Sequence, residues 1–96
     1  MKTKKEGRKK FYALEKVAKG IGNHRRIEIL FLLGEERGQS LFEISEKLQA
    51  NFKTVSEHTR RLAHSGLVAK WSDGNNIRHD LTDLGKTILK FLRTLE

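Results

Sequence analysis

Apolar residues recur three or four positions apart in the first third of the chain, at Phe11, Leu14, Val17, Ala18 and Ile21. This helical period predicts a first helix over 9–20, which Gly20 and Gly22 end. Asn23 is a common N-cap residue and predicts a second helix that stops near Gly34. The inward-facing residues of that helix are Ile27, Leu30, Phe31 and Leu33.

The middle of the chain predicts two short helices joined by a tight turn. Ser40 and Glu43 have the spacing of a capping box, in which each side chain accepts a hydrogen bond from the other residue's backbone amide. The helix that follows carries one apolar face, formed by Leu41, Ile44 and Leu48. Residues 49–51 supply the turn and an asparagine cap, and the next helix spans 52–64 until Gly66 ends it. Two such helices form a helix-turn-helix unit.

The pattern after Gly66 is that of a hairpin and one more helix. Residues 67–72 and 77–81 predict two strands, and Asp-Gly-Asn-Asn at 73–76 is a strong turn signal between them. Thr82 is a cap for a last helix, whose apolar residues are Leu84, Ile88, Phe91, Leu92 and Leu95. The predicted order is therefore α-α-α-α-β-β-α: a mainly α fold with a two-stranded β-hairpin, which is the winged helix-turn-helix architecture.

Length and composition limit the class of protein. With 96 residues, 36% of them hydrophobic, the chain is expected to form one domain with a small core. The absence of cysteine excludes disulfides, thiolate metal sites and a thiol nucleophile. No apolar run approaches about 18 residues and no secretory signal is present, so we expect a cytoplasmic protein without a membrane span. No phosphate-binding loop or serine elbow is present, so we expect no enzyme.

The net charge of +8 is unevenly distributed. Residues 1–10 carry six basic side chains and one acidic one, and we predict a basic flexible tail there, ahead of the domain at 11–96. Residues 51–79 carry five basic and two acidic side chains, whereas 11–50 and 80–96 are neutral. A lysine-rich terminus is often only solubilising, so the second concentration is the more informative one.

The helix predicted over 52–64 is apolar on one side and rich in hydrogen-bond donors on the other. At 100° per residue the core side contains Phe52, Val55, Thr59 and Leu62. The opposite side, flanked by Thr54 and Ser56, contains Lys53, Glu57, Arg60, Arg61 and His64. Such a face is often merely solvated. Here it belongs to the second helix of a helix-turn-helix and precedes a basic hairpin, which favours binding to the DNA major groove.

Several stretches resemble a known family: Gly22-Asn23-His24-Arg25-Arg26-Ile27-Glu28-Ile29-Leu30, residues 41–48, Thr54-Val55-Ser56-Glu57-His58, residues 62–68, and Gly74 with residues 77–82. In their order and spacing, over roughly 12–95, they resemble the winged-helix transcription regulators of the ArsR type. The neighbouring MarR-type and archaeal regulators share much of this pattern.

The resemblance implies a homodimer built from the first and last helices. The sequence agrees, because the last helix has more apolar positions than covering the hairpin requires, and the first has the aromatic pair Phe11 and Tyr12. The alternative is that these residues complete the core of the monomer. A two-fold dimer would place two recognition helices in successive major grooves.

Metal sensing does not carry over from the resemblance. Family members that sense metals have Cys-x-Cys on the third helix or histidines and carboxylates on the last helix. Here 41–48 lacks cysteine and 83–96 lacks histidine, so we expect no metal and no cofactor. Of the four histidines, His58 matches a structural position, whereas His64 and His79 are candidates for phosphate contacts.

Candidate DNA contacts follow from the donor-rich helix face and the hairpin. We expect base contacts from Lys53, Ser56, Glu57 and Arg60. We expect phosphate contacts from Thr54, Arg61 and His64. Glu57 either accepts from a cytosine amino group or holds Arg60 or Arg61 in place. The hairpin candidates are Lys70, Asn75, Asn76 and, as the best of them, Arg78. Trp71 is expected in the core, because it alternates with Lys70.

The prediction from the sequence is a sequence-specific transcription regulator, a repressor, that binds double-stranded DNA as a homodimer. One alternative is an architectural or nucleoid protein that binds DNA with little base preference, which the basic tail supports. Another is a winged helix used for protein contacts in a larger assembly.

Overall fold

Five helices and one β-hairpin make up residues 4–96, the part of the chain that this computed structural model describes, with side chains from residue 7. In chain order they are α1 (Lys4–Ile21), α2 (His24–Glu35), α3 (Leu41–Leu48), α4 (Phe52–His64), β1 (Val68–Asp73), β2 (Asn76–Leu81) and α5 (Asp83–Arg93). The order is the predicted one, and the winged helix-turn-helix fold is confirmed.

Helix α1 begins earlier than the sequence pattern predicts. Residues 4–10, predicted as part of a flexible tail, form its first turns, while residues 1–3 of that tail lie outside the described residues. Lysine, arginine and glutamate are good helix formers, and no proline interrupts the segment. The predicted helix start at residue 9 was wrong because an apolar pattern marks only the turns that pack on a core, and residues 8–10 are exposed.

The predicted caps are all present. At the start of four helices a backbone amide donates a hydrogen bond of 2.8 to 3.2 Å to the side chain of the cap residue. These cap residues are Asn23, Ser40, Asn51 and Thr82. Ser40 and Glu43 complete the capping box, because the Glu43 carboxylate accepts from the Ser40 amide at 3.0 Å. Gln49 has φ +51°, a left-handed conformation that ends α3 and starts the tight turn into α4.

One core joins all of these elements except the hairpin tip. Its buried apolar side chains are Ile29, Leu30, Leu33, Ile44, Val55, Leu62, Leu67, Val68, Leu81 and Leu89. Helix α2 supplies three of them and packs on α1, α3, α4, α5 and β2. Helix α2 is therefore the central helix, and α4 packs on it with one face only.

The hairpin is buried at its base and projects into solvent at its tip. Its antiparallel register runs from Val68 opposite Leu81 to Asp73 opposite Asn76, which leaves a two-residue turn. Gly74 has φ +63° at the first turn position, as a type II′ turn requires. A two-stranded sheet is marginally stable alone, so the helical body must hold the hairpin in place.

Strand β2 is the strand that attaches the hairpin to the helices. The His79 backbone amide donates to the Gln39 carbonyl at 2.9 Å, and the Gly38 amide donates to the His79 carbonyl at 3.0 Å. Asp80 accepts a hydrogen bond from Arg37 at 2.7 Å. The loop between α2 and α3 thus pairs with β2 and fixes the hairpin beside the helix-turn-helix.

Two aromatic residues expected in the core lie at the surface. The exposed fraction is 51% for Phe52 and 45% for Trp71. Phe52 is the first residue of α4 and precedes the turns that pack on the core. Trp71 lies on β1 beyond Val68, where the hairpin has already left the helical body. An alternating pattern cannot reveal how far a strand extends past the core, so the prediction for Trp71 was wrong.

Gly85 allows a close approach that no other residue permits. A Cβ at this position would overlap the backbone carbonyl of Leu67. Without a Cβ, the start of α5 lies directly against the backbone that leads into β1. We expect Gly85→Ala to lower the free energy of unfolding by about 1–3 kcal/mol, because backbone must move to relieve the overlap. The matched control is Gly7→Ala in α1, where a Cβ meets nothing within 4 Å. Helix propensity predicts a gain of about 0.5–1 kcal/mol for the control in urea unfolding. Equal effects of the two substitutions would contradict the close approach.

Candidate nucleic-acid interface

Helix α4 is divided sharply between buried and exposed faces. Val55, Thr59 and Leu62 are buried against the core. The side chains on the opposite face are all exposed, and these are Lys53, Thr54, Glu57, Arg60, Arg61 and His64. Ser56 is half-buried at the edge of this face. The structure therefore brings together on one surface every candidate that the sequence placed on this helix.

Glu57 organises the two arginines of this face. Its carboxylate accepts from Arg60 at 2.7 and 3.2 Å and from Arg61 at 3.1 Å. The hydrogen bond from Arg60 is the main reason that the pKa of Glu57 is lowered, and the same bond raises the pKa of Arg60. Both arginine side chains remain more than half exposed, at 61% and 57%. Glu57 thus orients two guanidinium groups whose other donors are open to solvent.

The exposed face of α4 continues onto the hairpin. A pocket of about 120 Å³ separates the two elements, and it is lined by Leu41, Ser56, Thr59, Arg60, Lys70 and His79. Lys70 on β1 is exposed, so its cation extends the positive surface of Arg60 toward the hairpin. Asn75 and Asn76 are exposed at the hairpin tip, where they line a pocket with Phe42 of α3 and Phe52 at the start of α4.

Arg78 is half-buried and hydrogen-bonded within the protein. Its guanidinium donates at 3.1 Å to three acceptors, which are Asp73, the Gly38 carbonyl and Glu43. The side chain is 30% exposed. Hydrogen bonds to Ser40 are the main reason that the pKa of Glu43 is lowered, so the carboxylate that meets Arg78 is ionised. The structure therefore assigns Arg78 to bracing the hairpin against α3.

His79 is not available for a phosphate contact. It is 2% exposed, and its Nδ1 lies 2.9 Å from the Gln39 carbonyl. It belongs to the residues that attach β2 to the loop before α3. The expectation for His79 was wrong because the loop before α3 pairs with β2 at Gln39 and covers this side chain. His64, in contrast, lies on the exposed face of α4.

A second basic surface borders α4 on the side away from the hairpin. A pocket of about 200 Å³, the α1–α4 junction, is lined by Lys16, Lys19, Gly20, Arg26, Arg61, His64 and Ser65. Sequence reasoning missed Lys16, Lys19 and Arg26, because they lie on other helices and only packing brings them to α4. The spacing of Lys16 and Lys19, three residues apart near the end of α1, was the only sign of this surface in the sequence.

Arg26 ties three helices together at this junction. Its Nε donates to Nδ1 of His58 at 3.2 Å, and its Nη1 donates to the Lys19 carbonyl at 2.7 Å and the Gly20 carbonyl at 3.3 Å. Burial and the nearby Arg26 cation lower the pKa of His58, so its ring is the neutral acceptor. His58 is therefore a packing residue of α4, as its position suggested.

Comparison with known proteins places this architecture in a family. The profile of the bacterial regulatory proteins of the arsR family matches residues 23–70, half of the chain, from the start of α2 into β1. The chain belongs to the arsR family. This ArsR-family protein is a transcriptional regulator with a winged helix-turn-helix DNA-binding domain. No curated protein sequence matches it at a significant level.

Solved structures share the fold over nearly the whole chain. Reduced HlyU from Vibrio cholerae is 25% identical, with a TM-score of 0.81 over 94% of this chain and 95% of HlyU. The homodimeric winged helix-turn-helix domain of Mb0332 from Mycobacterium bovis is 19% identical, with a TM-score of 0.86 over 99% and 87% of the two chains. A MepR variant from S. aureus, bound to an oligodeoxyribonucleotide, is 18% identical, with a TM-score of 0.74 over 90% and 69%.

The described residues also bear on metal binding and on membrane insertion. Within residues 4–96 no three histidine, cysteine or acidic side chains are grouped as a metal site requires. Over the same residues, no helix has the length and apolar character needed to cross a membrane.

Burial of two histidines makes stability depend on pH. Burial is the main reason that the pKa values of His58 and His79 lie below 6.5. The unfolded chain therefore binds these protons more readily, so the free energy of unfolding falls as the pH drops below about 6.5. Between about pH 7.5 and 5, we expect the free energy of unfolding measured in urea to fall less for the His79→Asn variant than for the unmodified protein. An unchanged pH dependence in this variant would contradict a titrating role for His79.

Proposed function

We propose that this ArsR-family protein is a homodimer that binds specific DNA sequences through α4 and represses transcription. The observation that carries the proposal is the division of α4, which is buried on one face and presents ordered donors on the other. It is the second helix of a helix-turn-helix, the position from which a recognition helix enters the major groove.

The chemistry of the exposed face suits DNA. Base edges in the major groove offer mainly acceptors, which match the donors of Lys53, Ser56 and Arg60. Glu57 acts through the arginines that it orients. Thr54, Arg61 and His64 lie at positions suited to phosphate contacts, and Lys70, Asn75 and Asn76 extend the contact along the hairpin. The fold-sharing MepR bound to an oligodeoxyribonucleotide supports this use of the architecture.

An uncovered apolar stripe on α5 supports the homodimer. Leu84 and Phe91 are 40% and 55% exposed, and they fall within about 20° of each other around the helix axis. Leu95, just beyond the end of α5, is 67% exposed. Their neighbours Ile88 and Leu92 already pack on the core, so the stripe is not needed to complete the monomer. Exposed apolar rows of this kind mark protein interfaces. The homodimeric Mb0332 domain shares the fold.

Helix α1 offers a second apolar row. Phe11 and Leu14 are 65% and 55% exposed, and they share a side of the helix with Ala18. Tyr12 points about 100° away from Phe11, so the aromatic pair does not act as one unit. Both α1 and α5 pack on α2, and a two-fold dimer through them would carry two copies of α4 to successive major grooves. A dimer placed there represses by occluding a promoter.

Arg60 provides a test of sequence-specific binding. With a site selected from random DNA, we expect Arg60→Ala to cost about 1–3 kcal/mol and to relax preference at one base position. Lys86→Ala on α5 removes the same charge and is the matched control. If the unmodified protein bound selected and random DNA equally, a nucleoid role would replace the regulator. If the unmodified protein bound neither selected nor random DNA at physiological salt, a protein-interaction role would replace the regulator.

Phe91 provides a test of the dimer. We expect Phe91→Glu to convert the protein to a folded monomer in sedimentation equilibrium, because a buried charge in the interface opposes association. The matched control is Phe42→Glu on α3, a phenylalanine of similar exposure at 63% that lies outside both apolar rows. A dimer that survived Phe91→Glu with unchanged affinity would contradict an interface through α5.

A further inference from the structure

The α1–α4 junction concentrates positive charge from three helices. Lys16 and Lys19 come from the end of α1, Arg26 from the first turn of α2, and Arg61 and His64 from the last turns of α4. No acidic side chain lines the pocket. Four cations around about 200 Å³ attract an anion.

The end of α1 would by itself repel an anion, since the carbonyl end of a helix carries partial negative charge. Arg26 removes this obstacle, because its guanidinium covers the Lys19 and Gly20 carbonyls. The hydrogen bond to His58 fixes the orientation of Arg26 relative to α4. The junction is therefore electrostatically prepared before any ligand arrives.

The lysines of the junction are available for a ligand. Lys19 contacts Glu15 at 3.6 Å, with side chains 77% and 57% exposed, and such surface pairs are weak. Lys16 points about 140–160° away from the apolar row of Phe11, Leu14 and Ala18. Dimer formation through that row leaves Lys16 open to solvent.

We propose that the α1–α4 junction binds a phosphate group of the DNA strand beside α4, as a clamp that acts on any sequence. The inference rests on the proposed function and adds α1 to the DNA-binding surface. Arg61 and His64 belong both to the junction and to the exposed face of α4, so a duplex against that face brings its backbone to the pocket. The pocket is open to solvent, which suits a phosphate that remains part of a chain.

The test compares Lys16→Gln/Lys19→Gln with the control Lys86→Gln/Lys90→Gln, which removes two charges from α5. Each phosphate contact contributes about 0.9 to the slope of log affinity against log salt. We expect the junction variant to lose this one contact, which lowers the slope by about 0.9 and the affinity about 5-fold near 0.15 M salt. Selected and random DNA should lose affinity equally, and the control should change by less than about twofold.

A neutral methylphosphonate placed at single phosphates of the selected site locates the contact. At one phosphate beside α4 it should weaken binding of the unmodified protein and leave the junction variant unaffected. An unchanged salt slope in a variant that still binds the selected site would overturn the clamp and leave the regulator intact. Equal losses in the control would also overturn it, since they would reflect bulk charge. Failure of the unmodified protein to bind any DNA would overturn both proposals.

Inorganic phosphate distinguishes a free anion from the DNA backbone. The ring resonances of His64 report on the junction by NMR. We expect their chemical shifts to change when DNA is added. Adding millimolar inorganic phosphate at constant ionic strength should not produce a saturable change in these shifts. A contrary result would be a saturable change with free phosphate that is lost in the junction variant, while the salt slope of DNA binding by that variant stays normal. This result would assign the junction to a small anion instead.

Discussion

The one-sided burial of α4 is the constraint on which the rest of the structure depends. Val55, Thr59 and Leu62 are removed from water against the central helix α2, and burial of this kind is the main favourable term in folding. Because a helix is rigid, fixing that face fixes the direction of the other one. Lys53 and Arg60 are therefore presented to solvent by the same packing that stabilises the core.

Polar contacts add to apolar burial in holding the neighbours of α4 in place. On one side the hairpin projects beyond the core, and Arg78 braces it by joining Asp73, Glu43 and the loop before α3. On the other side Arg26 joins the end of α1 to His58 of α4. Hydrogen bonds of these two arginines within the protein thus position the flanks of the surface proposed to meet DNA.

Much of the fold was predictable because its signals are local. The caps Ser40 and Asn51 depend on residues three positions away, and the turn at Gly74 depends on a conformation that glycine adopts freely. The period of α4 was enough to identify its exposed face. The start of α1 was not predictable in this way, because the sequence before Phe11 is charged and carries no apolar pattern.

By itself, the sequence determined the order of the elements, the apolar face of each helix and the candidate contacts of α4, since each depends on neighbours within one or two turns. Only the tertiary structure decided that His79 is buried, that Arg78 is engaged internally and that Trp71 is exposed. It alone brought Lys16 and Arg26 to α4. The physical reason is that burial and ion pairing depend on which side chains of distant segments come within a few ångströms, and a periodic pattern carries no information about that distance.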